Sequence, residues 1–225
     1  MRSTKVLTSN AGALRELIAH RVPEPALALL LSLLEQYPHE LWITKARSSK
    51  YGDYRHPHAN KGHVITINGN LNPYAFLITL LHEVAHLVTW QEYKNKVDAH
   101  GKEWKRIFSA ILTRFNNPIV FPEELCIAVH KYSSNVKASS CSDTNLMKAL
   151  AKYDEPEHND GRYLEELAPD IHFRLSGNRI FVKGPKLRKR YQCREVSTGR
   201  MYLVHPLAKV QEMPSMAKNG QFRLF

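Results

Sequence analysis

Apolar residues in the first two thirds of the chain recur mostly at helical spacing. Residues 11–21 place Leu14, Leu17 and Ile18 on one face. Pro23-Glu24-Pro25 opens a second helix that runs to Tyr37. Its leucines (Leu27, Leu29, Leu30, Leu31, Leu33, Leu34) nearly encircle it, so it belongs in a core, and Pro38 ends it. The longest apolar run, 75–88, contains neither Gly nor Pro, and Asn72-Pro73 before it supplies a cap and a first-turn proline. Asp98 reads as the cap of a helix over 99–115, where Trp104, Ile107, Phe108 and Ile111 form the apolar stripe. Asn116-Asn117-Pro118 breaks that helix. Shorter helices are predicted over 122–131 and 144–153, with a polar loop over 133–143 between them.

Two regions change period. Segments 41–47, 51–55 and 63–68 are short, β-branched or aromatic, and punctuated by Gly52, Pro57 and Gly62. They predict a small antiparallel sheet, with 64–68 as its best strand. Near the C-terminus, 172–175, 179–183, 188–194 and 200–205 read as four strands separated by 176–178, Gly184-Pro185 and 197–199. The acidic, turn-rich stretch 154–161 marks a boundary. The expectation is an α+β fold: a domain over 1–154 with helices and a small antiparallel sheet, a linker over 155–170, and a small antiparallel β module over 171–225.

Charge narrows the range of partners. A net charge of +11 and a pI near 9.6 favour a polyanion, nucleic acid before membrane. No apolar stretch is long enough to span a bilayer, and the N-terminus has no secretory pattern, so a cytoplasmic protein is expected. The cysteines, Cys126, Cys141 and Cys193, form no CxxC pair, which argues against both a cysteine zinc knuckle and a disulfide framework. The C-terminal strands carry Arg174, Arg179, Lys183, Lys186, Arg188, Lys189, Arg190, Arg194 and Arg200 against one acid, Glu195. Phe173, Phe181, Tyr191 and Tyr202 are interleaved and could stack on unpaired bases. The other reading is a solvated basic face with its aromatics packed inward. The candidate nucleic-acid contacts are Arg188, Lys189, Arg190 and Arg200, and strand alternation would put Arg188 and Arg190 on one face.

Chemistry concentrates at His82-Glu83-Val84-Ala85-His86 and at His100-Gly101. Two histidines four apart on a helix share a face, the spacing that one metal ion needs. A third imidazole after a short connection leaves a fourth position open, the catalytic arrangement of zinc, with Glu83 placed to act on water. The bland reading makes these polar residues of an amphipathic helix. Their neighbours Leu80, Leu81, Val84, Ala85, Leu87 and Val88 argue for burial, which is costly for two imidazoles and a carboxylate without a metal. His100 is expected in the first helical turn, where the positive end of the helix disfavours imidazolium. His56, His58 and His63 read as loop and strand histidines, or else as extra ligands or oxyanion donors.

HEVAH followed by AHGKEW resembles the SprT-like (Spartan-type) metallopeptidases, a zincin family whose pattern is HExxH and then a third ligand in an HGxxF/W setting. The match lies at His82, Glu83, His86, His100, Gly101 and Trp104, and the resemblance reaches from the first long helix to Phe115. It implies a zincin-like metallopeptidase domain with one Zn²⁺ per chain on His82, His86 and His100. It also implies Glu83 as general base, and protein or peptide substrates associated with DNA. By analogy with zincins, the strand before the metal helix, 63–68, would lie along the substrate. Many SprT-like proteins carry a C-terminal zinc ribbon with paired cysteines. Here only Cys193 stands in a comparable strand, so a metal-free module of that outline is expected. The competing class is a non-catalytic zinc-containing nucleic-acid-binding protein. Glu83 favours the enzyme, because binding zinc requires only the histidines.

Overall fold

A computed structural model of the chain describes residues 4–47, 50–134, 136, 143–154, 161–175 and 178–213. The chain divides into two units, Met1–Asp154 and Glu155–Phe225, each with its own core. The architecture is α+β.

The first unit runs β1 (Thr4–Leu7), α1 (Ala11–Ile18), a 3-10 turn (Glu24–Ala26), α2 (Leu27–Glu35), β2 (Glu40–Thr44), β3 (Gly52–Arg55), β4 (Val64–Asn68), α3 (Pro73–Tyr93), α4 (Lys102–Phe115), α5 (Glu123–Ser133) and α6 (Thr144–Ala151). Side chains start three of the helices by accepting an otherwise unpaired N–H: Asn10 from Ala13, Asn72 from Ala75 and Asp143 from Leu146. Asn72 also donates to Asp154 at 2.6 Å and to the Leu150 carbonyl at 3.0 Å, which ties the start of α3 to the end of α6. From Ala75 to Thr89, α3 is buried at every position but His86, so it is the central helix of the unit. Among the described residues no helix is long and apolar enough to cross a membrane.

The sheet has the order β1-β2-β4-β3. It is mixed, not antiparallel as expected, because β2 and β4 run parallel from Glu40↔Val64 to Thr44↔Asn68. The connection between them is long enough to carry β3 out and back, so β4 can re-enter beside β2 in the same direction. Strand β1 gave no sequence signal, since three of its four residues are exposed and no alternation shows. Strand β4 is interior and buried along most of its length. It therefore cannot offer a free edge to a substrate, and the expectation for 63–68 is overturned. The edge strand beside α3 is β3.

The second unit contains β5 (Arg162–Tyr163), a 3-10 turn (Leu164–Glu166), β6 (His172–Arg174), β7 (Ile180–Leu187), β8 (Arg190–Glu195), β9 (Met201–Val204) and β10 (Lys209–Glu212), in the sheet order β5-β10-β6-β7-β8-β9. Every pairing is antiparallel. Residues 161–170 are not a linker: β5 pairs with β10, and Leu164 and Leu167 are buried in the core with Phe173 and Phe181. Residues 155–160 of the expected linker, 176–177 of an expected turn and 214–225 of the expected module lie outside the described residues, as does most of the loop expected over 133–143. Gly184-Pro185 does not turn the chain. It sits inside β7 at a bulge where the register shifts between Lys183 and Lys186. A Cβ on Gly184 would stand 2.3 Å from the Gln192 carbonyl oxygen, so a side chain cannot fit there. The turn is Arg188-Lys189, between the paired Leu187 and Arg190. The strand alternation expected for Arg188 and Arg190 therefore does not apply.

Candidate metal centre and its cleft

α3 packs against α4, and the site forms where they meet. His82 and His86 stand one turn apart on α3, with their Nε2 atoms 3.3 Å from each other. His100, just before α4, completes a group in which one nitrogen per ring lies within 4.8 Å of the others. It is the one such group of three among the described residues. Zinc bonded to imidazole nitrogens at 2.0–2.1 Å in a tetrahedron holds those nitrogens about 3.3 Å apart. The α3 pair already has that separation. His100 Nε2 is buried without a hydrogen-bond partner, and such an orphaned nitrogen fits a metal site.

Burial sets the charge state. It pushes His82 down to about 3, with the neighbouring His86 and His100 adding to the effect. It likewise pushes His86 down to about 3. His100 is also lowered, by burial first and then by Lys105. All three rings are therefore neutral near pH 7 and keep a lone pair for a cation. The helix end is not the cause. α4 begins at Lys102 with Gly101 as its cap residue, so His100 precedes the helix. Nor does the Asp98 side chain cap α4; the Asp98 carbonyl accepts the Gly101 N–H at 3.0 Å.

Trp104 forms the floor. It is wholly buried, and its ring centroid lies 4.7 Å from that of His82, 5.0 Å from His86 and 4.7 Å from His100. Phe108 backs both Trp104 and His82. One buried indole thus packs against all three rings.

Glu83 is buried, and its carboxyl is pushed up to about 8. Burial is the main cause and Asp53 adds to it, while Arg47, Lys50 and the Tyr54 N–H act in the opposite direction. A dication on the adjacent imidazoles would favour the carboxylate. Glu83 lies in the wall of a cleft of about 550 Å³, shared with Gly52, Tyr54, Trp90, Lys94 and His100.

Several cleft residues lacked a reading from sequence. Trp90 follows His86 by four positions and so continues its helix face, a signal that was available. Tyr54 had none: β3 carries it to the cleft, where its ring is nearly parallel to His86 at 6.4 Å. His63 Nδ1 lies 2.8 Å from the Tyr54 hydroxyl, and His56 stacks on Trp90. His58 is exposed in a bridge with Lys61. None of these three histidines joins the triad.

The C-terminal candidates are all exposed. Arg188 and Lys189 form the hairpin tip, Arg190 begins β8 and Arg200 immediately precedes β9. Phe173 and Phe181 are buried core residues and cannot stack on bases. Tyr191 and Tyr202 are half-buried and already carry cations, Lys183 over Tyr191 and Arg179 over Tyr202. Lys183 is itself buried and donates to the carbonyls of Leu167 and Glu165, and Arg179 pairs with Glu195 at 2.6 Å. These contacts remove Lys183 and Arg179 from the free cationic face. Cys126 and Cys193 are free thiols, and Cys141 lies outside the described residues.

The residues that build this centre lie within a match to a known family. Residues 33–126 match the SprT-like family. The Protein SprT of Vibrio parahaemolyticus (serotype O3:K6, strain RIMD 2210633) is 49% identical over 41 residues, which is 18% of this chain and 24% of that protein. The match thus spans about a quarter of the length of that curated relative. No solved structure matches.

Proposed function

We propose that the first unit is a zinc-dependent peptidase of the SprT-like type. The observation that carries this reading is a neutral three-histidine group beside a buried glutamate in an open cleft. Zinc on His82, His86 and His100 would supply Lewis acidity toward a peptide carbonyl and make water more acidic. Glu83 takes a proton from the attacking water as its oxygen joins the carbonyl carbon. It then gives that proton to the amide nitrogen as the C–N bond breaks, leaving an acid and an amine. An extended substrate has the edge strand β3 to lie along. The +11 charge and the exposed Arg188, Lys189, Arg190 and Arg200 support action on proteins associated with DNA.

The test is Glu83→Gln, which keeps the shape of the side chain but cannot accept the proton. The variant should retain metal and thermal stability and lose hydrolysis of an unfolded protein substrate, with and without DNA. Turnover equal to that of the parent chain would overturn the reading.

A further inference from the structure

We infer that β3 positions the Glu83 carboxylate through the bare Cα of Gly52, and this rests on the peptidase reading above. A Cβ built on Gly52 would stand 2.5 Å from Glu83 Oε1, 2.8 Å from its Cγ and 2.9 Å from Thr79 Cγ2. Non-bonded carbon atoms sit 3.5–4.0 Å apart at their optimum, so no other residue fits while Glu83 stays in place. Helix α3 alone would leave Glu83 the rotamer freedom of a long side chain. The strand removes part of that freedom by contact at Gly52.

The strand is in turn fixed from behind. Asn68, at the end of β4, is 1% exposed, and its side chain donates to the carbonyls of Arg47 and Lys50 at 3.1 and 3.0 Å. Its own N–H donates to the Tyr51 carbonyl at 2.8 Å. Arg47 donates to Asn68 Oδ1 at 2.8 Å and to Thr66 Oγ1 at 2.9 Å. These bonds tie the residues on either side of 48–49 to the interior strand, immediately before Gly52. The position of Glu83 therefore depends on a strand, a loop and an interior asparagine that HExxH does not contain. Gly52 is a positioning residue.

The test is a pair of substitution cycles on the full chain. Gly52→Ala in the zinc-loaded protein should leave metal content unchanged, lower kcat about 100-fold and leave KM within about threefold, as expected for a displaced catalytic group. A Glu83→Asp background removes the Oε1 contact but keeps a carbon at the γ position and the Thr79 contact, so there Gly52→Ala should cost clearly less than about 100-fold more but not nothing. The second cycle is read in chelator without turnover. Gly52→Ala should lower Tm clearly more when Glu83 is present than in Glu83→Ala, where only the Thr79 contact remains. A Gly52→Ala chain that folds only in the Glu83→Ala background is the same coupling in stronger form. Equal Tm losses in both backgrounds, failure to fold in both, or a parental kcat for Gly52→Ala would overturn the inference. If the Tm cycle couples but the parent chain hydrolyses nothing, the contact stands and the peptidase reading fails.

Discussion

His82 Nε2 and His86 Nε2 face each other at 3.3 Å, closer than two protonated imidazoles can be held. A cation between them and His100 resolves the juxtaposition and gives the orphaned His100 Nε2 a partner. The expected content is one zinc-type dication per chain. Elemental analysis of His86→Ala should find that metal lost. Adding metal at about a hundred times its Kd should stabilise the parent chain by about 2.7 kcal/mol, read as a rise in the unfolding midpoint over the chelated protein. A midpoint that does not respond to metal would count against the site.

Trp104 gives a separate handle on the same centre, because it touches the three rings without binding a metal. Trp104→Ala should cost about 3–5 kcal/mol through the cavity it leaves. Trp104→Phe should cost less and still weaken metal binding, since its smaller ring cannot support all three histidines. Urea unfolding in chelator gives the first quantity, and a zinc titration of Trp104→Phe gives the second. Unchanged zinc affinity in that variant would mean that α3 and the 98–101 bend place the ligands unaided.

The pairing of His82 with His86 was legible because its signal is local: a helix fixes the relation of residues four apart, and the burial around them shows in their composition. The cap of α4 was misread for a similar reason. Asp98 has the right side chain, yet the bend it begins is closed by its carbonyl, and helix geometry starts only after Gly101. Strand order was not legible, since the parallel pairing of β2 with β4 is non-local and β1 lacks alternation. The contribution of Gly52 was hidden for the same reason: in sequence it is turn punctuation, and only pairing with β4 brings its bare Cα against Glu83. In the C-terminal unit, Gly184-Pro185 resembled a turn because the bulge that accommodates it depends on Gln192 across the strand pair.

His39 supplies a pH test far from the metal ligands in sequence. It is buried, Nδ1 lies 2.6 Å from the Tyr37 carbonyl and Nε2 has no partner. Burial pushes its pKa down to about 4, with the Tyr37 hydrogen bond opposing and His63 adding. An unfolded histidine titrates near 6.5, so between those values the unfolded chain binds more protons. The contribution is fully present above about pH 6.5 and is lost as pH falls toward 4, by up to about 3 kcal/mol. Other buried histidines slope the same way, so the measurement is a difference. Urea midpoints for the parent chain and His39→Leu should converge as pH drops from 7 to 4. Parallel pH profiles would mean that folding does not lower the His39 pKa.

The last prediction concerns the cationic hairpin. Arg188 and Lys189 occupy the exposed turn between β7 and β8, Arg190 follows, and Arg200 stands just before β9, the neighbour of β8 in the sheet. Side chains at a turn are not bound to alternate faces, so Arg188 and Lys189 can approach one phosphate backbone together. Removing both should therefore weaken binding more than removing either alone, which differs from what a continuous strand would require. Phosphate neutralisation releases counterions, and each lost contact should reduce the magnitude of the salt slope by about 0.7–0.9. The double variant Arg188→Ala/Lys189→Ala should lose up to about twice that. Arg200→Ala should lose about one contact's worth, and zinc content should not change. Salt titrations of single-stranded and duplex DNA binding with the full chain give the slopes, and an RNA arm shows whether the sugar matters. Identical affinities and slopes for all variants would mean that this hairpin is a solvated surface and that any nucleic acid binds elsewhere on the chain.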